Sequence, residues 1–270
     1  MDQVAPSARL SVSEVTTRPW TFEQDVRAYS SAGVNGIGVW REKLHRCGTT
    51  VAVELLSTSD VAAANLVGEV ALAGRTDAVE WETIRDGMTA IDLAHVLGAD
   101  VVVMLPWISR GRSVQLMREL TVGALLELAP IAESHGVSIA VEPIRRPYVD
   151  YFNDLDEAID LCREVDSEHV GVLVDTWHLW DQPGLEESLR ENIDLVKAVQ
   201  FSGYRNPTRH EFDRLMPGDG IADNARLLRS LESAGYRGWY DVEIFSDDLW
   251  TGPLEEVLSG CRQWFDDVWD

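Results

Sequence analysis

The sequence predicts an α/β protein folded as a single (β/α)8 TIM barrel over residues 1–270, and three observations predict it. Short β-type runs alternate with longer helical patterns from end to end, which is the rhythm of a parallel sheet. Runs such as Val-Val-Val-Met-Leu and Val-Gly-Val-Leu-Val are apolar throughout, as strands buried on both faces must be. The chain reaches 270 residues without a low-complexity linker, close to the ~250 residues typical of such barrels.

The elements follow in order. Strand Leu10–Thr16 precedes helix Thr21–Ala32; strand Gly36–Trp40 precedes a weaker helical stretch at Arg41–Cys47. The third strand is placed at Val51–Leu55 and its helix at Glu80–Leu97. Strand Asp100–Leu105 leads to helix Ser113–Ser134, and strand Val137–Glu142 to helix Asp154–Val165. The last three pairs are Val170–Asp175 with Leu185–Asn192, Leu195–Phe201 with Asn224–Ala234, and Trp239–Ile244 with Leu254–Trp269. Gly33, Gly98, Gly136 and Gly235 stand before strands, where glycine serves as the left-handed stop of the preceding helix. An open doubly wound sheet is the alternative, because periodicity does not reveal closure. No GxGxxG or GxxxxGK[ST] marks a strand-to-helix turn, so a nucleotide fold lacks its fingerprint.

Composition narrows the partners. With 46 acidic and 23 basic residues the formal charge is −23. Nucleic-acid affinity rests on clustered Lys and Arg against phosphates, so no nucleic-acid partner is expected. The longest apolar run, Val101–Ile108, is far shorter than the ~20 residues of a membrane span. The amino terminus has neither the basic region nor the apolar stretch of a secretory signal, and a cytoplasmic protein is expected. Three cysteines without CxxC spacing suit reduced thiols.

In a barrel, residues at the carboxyl ends of the strands converge on the face where active sites form. The last four strands carry oxygen ligands there: Glu142, Asp175, Gln200 and Glu243, at intervals of 33, 25 and 43 residues. A buried carboxylate is costly unless paired or metal-bound, and a divalent cation relieves the repulsion among three of them. Each also has a plainer role: Asp175 as the cap of the next helix, Gln200 as a partner of backbone groups. Glu54, near the end of the third predicted strand, is a candidate for substrate contact or for an ion pair. Trp20, Trp40, Trp107, Trp177, Trp180 and Trp250 follow strands; such a rim either receives sugar rings and flat aglycones or plugs the barrel mouth. Arg205, Arg209 and Arg214, in the loop after the seventh strand, either bind an anionic group or neutralise neighbouring acids.

Val141-Glu142-Pro143, the run Gly171-Val172-Leu173-Val174-Asp175-Thr176-Trp177-His178, the Pro217-Gly218-Asp219-Gly220 loop and the stretch from Gly235 to Glu243 resemble the xylose-isomerase-like barrels of the sugar phosphate isomerase/epimerase superfamily. The likeness covers nearly the whole chain and is greatest to 2-keto-myo-inositol isomerase-type proteins. It implies one divalent metal held by Glu142, Asp175, the Gln200 position and Glu243. The two glutamates would form an acid/base pair, His178 would touch the substrate and Arg205 would bind it; Trp107 and Trp177 of the aromatic rim, with Glu54, are read from their places at or after strand ends as lining the same site. The departure is Gln200, where histidine is usual. It makes the ligand set all-oxygen, favouring Mn2+ or Mg2+ over Zn2+, with Co2+ as a further candidate.

The resemblance implies loss of a proton α to the carbonyl of a sugar or keto-sugar, completed as isomerisation or epimerisation. A lyase expelling a β-substituent, in dehydration or in deglycosidation of 3-keto C-glycosides, shares that first step. Such lyases can work with a partner subunit, and Trp264 and Trp269, read as exposed, would suit an interface in a homo- or hetero-oligomer. A barrel endonuclease acting at abasic sites is disfavoured by the few histidines and the charge. A non-catalytic barrel subunit is the reading from another class.

Overall fold

The computed structural model describes residues 5–270 except 75, 107 and 108, and at Glu69 the main chain alone. Trp107 therefore lies outside the described residues.

Eight parallel strands close into a barrel in sequence order: β1 (Leu10–Ser13), β2 (Gly36–Trp40), β3 (Ala62–Ala71), β4 (Val101–Leu105), β5 (Ser138–Val141), β6 (Val170–Asp175), β7 (Val196–Phe201) and β8 (Tyr240–Val242). Closure is made by β8 against β1, with Leu10 opposite Tyr240 and Ser11 opposite Asp241. The open-sheet alternative is thereby excluded. Parallel neighbours need long crossovers, and ten helices among the described residues surround the strands: α1 (Phe22–Ser31), α2 (Arg41–Cys47), α3 (Thr49–Ser57), α4 (Trp81–Leu97), α5 (Val114–His135), α6 (Leu155–Val165), α7 (Thr176–Leu179), α8 (Leu185–Glu191), α9 (Asn224–Ala234) and α10 (Leu254–Trp269). Gly98 and Gly136 end α4 and α5 at φ of +75° and +65°, the stop expected of them. No described helix is long and apolar enough to cross a membrane.

The third predicted strand is a correction. Val51–Leu55 lies inside α3, and the strand is Ala62–Ala71. The valine-rich run has a helical face: Ala52 and Leu56, four residues apart, are buried, while Val51, Glu54 and Ser57 are exposed. The true strand opens Ala-Ala-Ala-Asn, residues depleted in strands, and is held by pairing to β2 on one side and β4 on the other. Glu54 consequently sits on an exposed helix surface and not at a strand end.

Alternation along each strand sorts the side chains. Val170, Val172 and Val174 of β6 join the large apolar layer beneath the helices, whereas Leu173 packs inside the barrel with Val101, Val103, Ala140 and Ala198. The period of two continues the inward rows from Ala140 to Glu142, from Leu173 to Asp175 and from Ala198 to Gln200. On β8, Tyr240 and Val242 face the helices, so Asp241 and Glu243 face inward.

Candidate active site

The inward rows deliver Glu142, Asp175, Gln200 and Glu243 to the carboxyl end of the barrel, all of them buried. Register aligns part of the set, with Asp175 opposite Gln200 and Gln200 opposite Asp241. Asp175 fulfils both roles foreseen for it. Its Oδ1 accepts from the Trp177 amide at 2.9 Å, capping α7, while Oδ2 faces the cluster.

A guanidinium joins these acids. Arg214 Nη1 donates to Asp175 Oδ2 at 2.9 Å, to Glu243 Oε2 at 3.1 Å and to the Glu243 carbonyl at 3.2 Å. The head group lies between the Trp177 ring, 4.9 Å away, and the Phe245 ring, 5.0 Å away, an arrangement favourable to a desolvated cation. Arg214 reaches this place because the loop after β7 folds back over the mouth, bridging Gly203 to Leu215 and Asp213 to Ser246.

His178, on α7, completes the wall. Its Nδ1 accepts the Arg145 amide N–H at 3.2 Å. Its Nε2 lies 3.5 Å from Glu142 Oε1 and 3.7 Å from Asp175 Oδ2. Burial, reinforced by Arg214 and Arg145, holds its pKa well below 6.5, so the ring is neutral. A neutral imidazole that accepts at Nδ1 carries its proton on Nε2, and that N–H points at the acids.

The electrostatics call for further positive charge. Ionised together, Glu142, Asp175 and Glu243 would face one guanidinium with two negative charges in excess. Burial, and after it the charges of Glu243 and Asp175, raises the Glu142 pKa well above 4.5. Burial pushes Glu243 up to about 8 against the pull of Arg214, with Asp175 and Asp241 adding to the rise. Ligand atoms of Glu142, Asp175 and His178 lie within 4.8 Å of one another, a spacing that can hold a metal ion. The protonated Nε2 makes His178 the poorest ligand of that group. Gln200 is better suited: its Nε2 donates to Glu243 Oε1 at 3.0 Å and to Asp241 Oδ2 at 3.3 Å. Its Oε1 takes no hydrogen bond from the described residues. The Glu142 carboxylate takes none either, so the donor set fits a divalent cation.

A pH dependence follows. Glu243 binds its proton more tightly folded than unfolded, so its contribution to stability is full below about 4.5 and is lost as pH rises through about 8. Metal-stripped protein is expected to melt at a lower temperature near pH 8.5 than near pH 5. Mn2+ should raise the melting temperature more at the higher pH, where it competes with fewer protons. Differential scanning fluorimetry in EDTA and in Mn2+ across that range checks both signs.

The remaining predicted residues are placed as follows. Arg205 does not reach the acids: its Nε donates to Asp213 Oδ1 at 3.1 Å and its side chain is 41% exposed. Arg214 is the arginine of that loop that meets the acids, neutralising them as one of the two roles foreseen for it. Trp177 is buried, edge to face with His178 at 5.0 Å, with the Arg214 guanidinium over its ring. Trp180 packs on Tyr204 at 5.0 Å, and Trp250 Nε1 donates to the Val15 carbonyl at 2.8 Å. Trp264 and Trp269 are half-buried against Phe201 and Tyr240, which corrects the expectation of exposed interface residues.

Comparison with known proteins agrees with this architecture. The model of the xylose isomerase-like TIM barrel family matches residues 26–267. An inosose isomerase of Bacillus subtilis (strain 168) is 25% identical over 69% of this chain and 69% of its own. An inosose dehydratase of Erwinia tasmaniensis is 26% identical over 53% of each chain. A crystal structure of the IolI protein with a bound zinc atom superposes at a TM-score of 0.86 with 22% identity, covering 97% of this chain and 98% of that one. Such relatives support an enzyme that acts on a small sugar-like molecule. The closed eight-stranded barrel and a family match over nearly its full length place this chain in the xylose isomerase-like TIM barrel family.

Proposed function

We propose that the barrel removes a proton α to the carbonyl of a keto-sugar or a cyclic polyhydroxy ketone such as an inosose, as an isomerase or epimerase. Glu142, Asp175, Gln200 and Glu243 would hold a divalent cation, Mn2+ foremost. One observation carries the reading: two buried glutamates, from β5 and β8, meet in one acid cluster whose charge is balanced only in part by Arg214. A bound dication would supply positive charge beside the carbonyl oxygen and acidify the adjoining C–H.

The chain's own groups do the rest. Glu142, which takes no hydrogen bond from the described residues, takes the proton. Glu243, held by Arg214 at Oε2 and by Gln200 at Oε1, is the fixed carboxylate on the other side. Both have proton affinities raised by burial, which moves a carboxylate toward the acidity suited to general acid/base work near neutral pH. His178 donates Nε2–H to a substrate oxygen, and its neutrality keeps that donation constant over the working range.

The same pair of groups allows a second reading. Expelling a β-hydroxyl or an aglycone needs a proton on the leaving group; Glu142, having taken the α-proton, would return it there, with the neutral His178 donating only a hydrogen bond. Dehydration, or elimination from a 3-keto C-glycoside, would then follow the same first step. Incubating Mn2+-loaded protein in D2O with a panel of inososes, ketohexoses and 3-keto-glycosides tests the shared step by NMR. Deuterium at the α-carbon is expected, and the product separates isomerase from lyase. No exchange on any member of the panel, from protein shown to bind Mn2+, would favour a non-catalytic barrel.

A further inference from the structure

One buried carboxylate has no part in the proton transfers. Asp241 faces into the barrel one inward step below Glu243, opposite Gln200 on β7 and Ser11 on β1. Its Oδ2 accepts from Asn65 Nδ2 of β3 at 3.1 Å and from Gln200 Nε2 at 3.3 Å. β2 makes room for it: a Cβ at Gly38 would stand 2.5 Å from Asp241 Oδ2 and 2.9 Å from Oδ1. Four strands thus cooperate to seat this side chain directly beneath the acid cluster.

Its effect falls on Gln200. A primary amide has a donating end and an accepting end, and an ionised carboxylate can only accept. With Asp241 Oδ2 and Glu243 Oε1 both within reach of Nε2, the NH2 group is fixed between them, and Oε1 takes no hydrogen bond from the described residues. Glu243 alone would be an unreliable anchor, because it exchanges protons in the proposed reaction and shares its oxygens with Arg214. Asp241 lies below the reacting groups and keeps its hold through such changes. Carboxylates that orient a ligand in this way tune affinity without touching the ion.

We infer that Asp241 is a positioning residue that, by holding the NH2 end of the Gln200 amide, leaves its carbonyl oxygen free to serve as a neutral oxygen ligand for a divalent cation. The inference rests on the cation reading above. Isothermal titration of EDTA-stripped protein with Mn2+ tests it in the native chain, Asp241→Leu, Asp241→Asn, Gln200→Ala and the Asp241→Leu/Gln200→Ala double variant. Asp241→Leu should weaken Mn2+ binding about 10–100-fold. Asp241→Asn retains an acceptor oxygen for Gln200 and should stay near native. In the Gln200→Ala background, Asp241→Leu should cause no further loss, the non-additivity expected when one residue acts through the other. Asp241→Ala replaces the leucine variant if the latter does not fold. Native-like affinity in Asp241→Leu, or additive losses, would overturn the inference and leave the cation reading intact. Failure of the native chain to bind Mn2+ would overturn both.

Discussion

Glu142→Gln is expected to lower turnover by roughly 10²–10⁴-fold, the range set by loss of a positioned acid or base, while the protein remains folded. The amide keeps the shape and one ligand oxygen but cannot carry the proton. Because Glu142 is buried without a hydrogen bond from the described residues and its pKa is raised by burial and by Glu243 and Asp175, neutralising it should leave metal-free stability equal or higher. Glu243→Gln should lose turnover to a similar extent at an added cost in stability. Its oxygens accept from Arg214 and Gln200, and an amide offers only one acceptor. Steady-state turnover, α-deuterium exchange and urea unfolding on both variants check the pattern. Undiminished exchange in Glu142→Gln would remove that residue from the proton path.

Arg214→Met should be the most destabilising change in the site. Breaking a buried ion pair by removing one partner costs about 3–5 kcal/mol, since the other charge is left buried and uncompensated. Here two carboxylates lose the same partner. Urea unfolding in EDTA should show the full loss, and Mn2+ should restore more stability to the variant than it adds to the native protein. An unfolding midpoint equal to native in EDTA would mean that the acids are already protonated and Arg214 contributes nothing. Arg214→Lys is expected to recover only part of the loss, because a point-charge ammonium does not reproduce the planar guanidinium between Trp177 and Phe245.

What the sequence disclosed depended on whether a feature was local. Val170–Asp175 is a strand in the sequence and in the structure, because a run of β-branched residues buried on both faces has no other comfortable conformation. The carboxylates were legible for a related reason: once strand ends are known, a period of two and the geometry of a barrel send them to one place. β3 was not legible, since Ala62–Ala71 lacks strand propensity and exists through its neighbours. That Arg214, and not Arg205, meets the acids was hidden in the same way. Three arginines occupy one loop, and bridges from Gly203 to Leu215 and from Asp213 to Ser246 decide which of them enters the barrel. The flanks held a faint signal, for Arg214 is followed by Leu215-Met216-Pro217, whereas Arg205 is followed by Asn206-Pro207-Thr208.

The tether of Arg214 to the loop after β7 has a consequence for how the protein comes into being. A cation that belongs to the chain arrives at the acids during folding, at a local concentration no dissolved ion matches. The barrel could therefore close in a metal-poor medium and take up the proposed ion afterwards. Maturation and the proposed activity would then answer to different cations, one inherited with the polypeptide and one drawn from the surroundings.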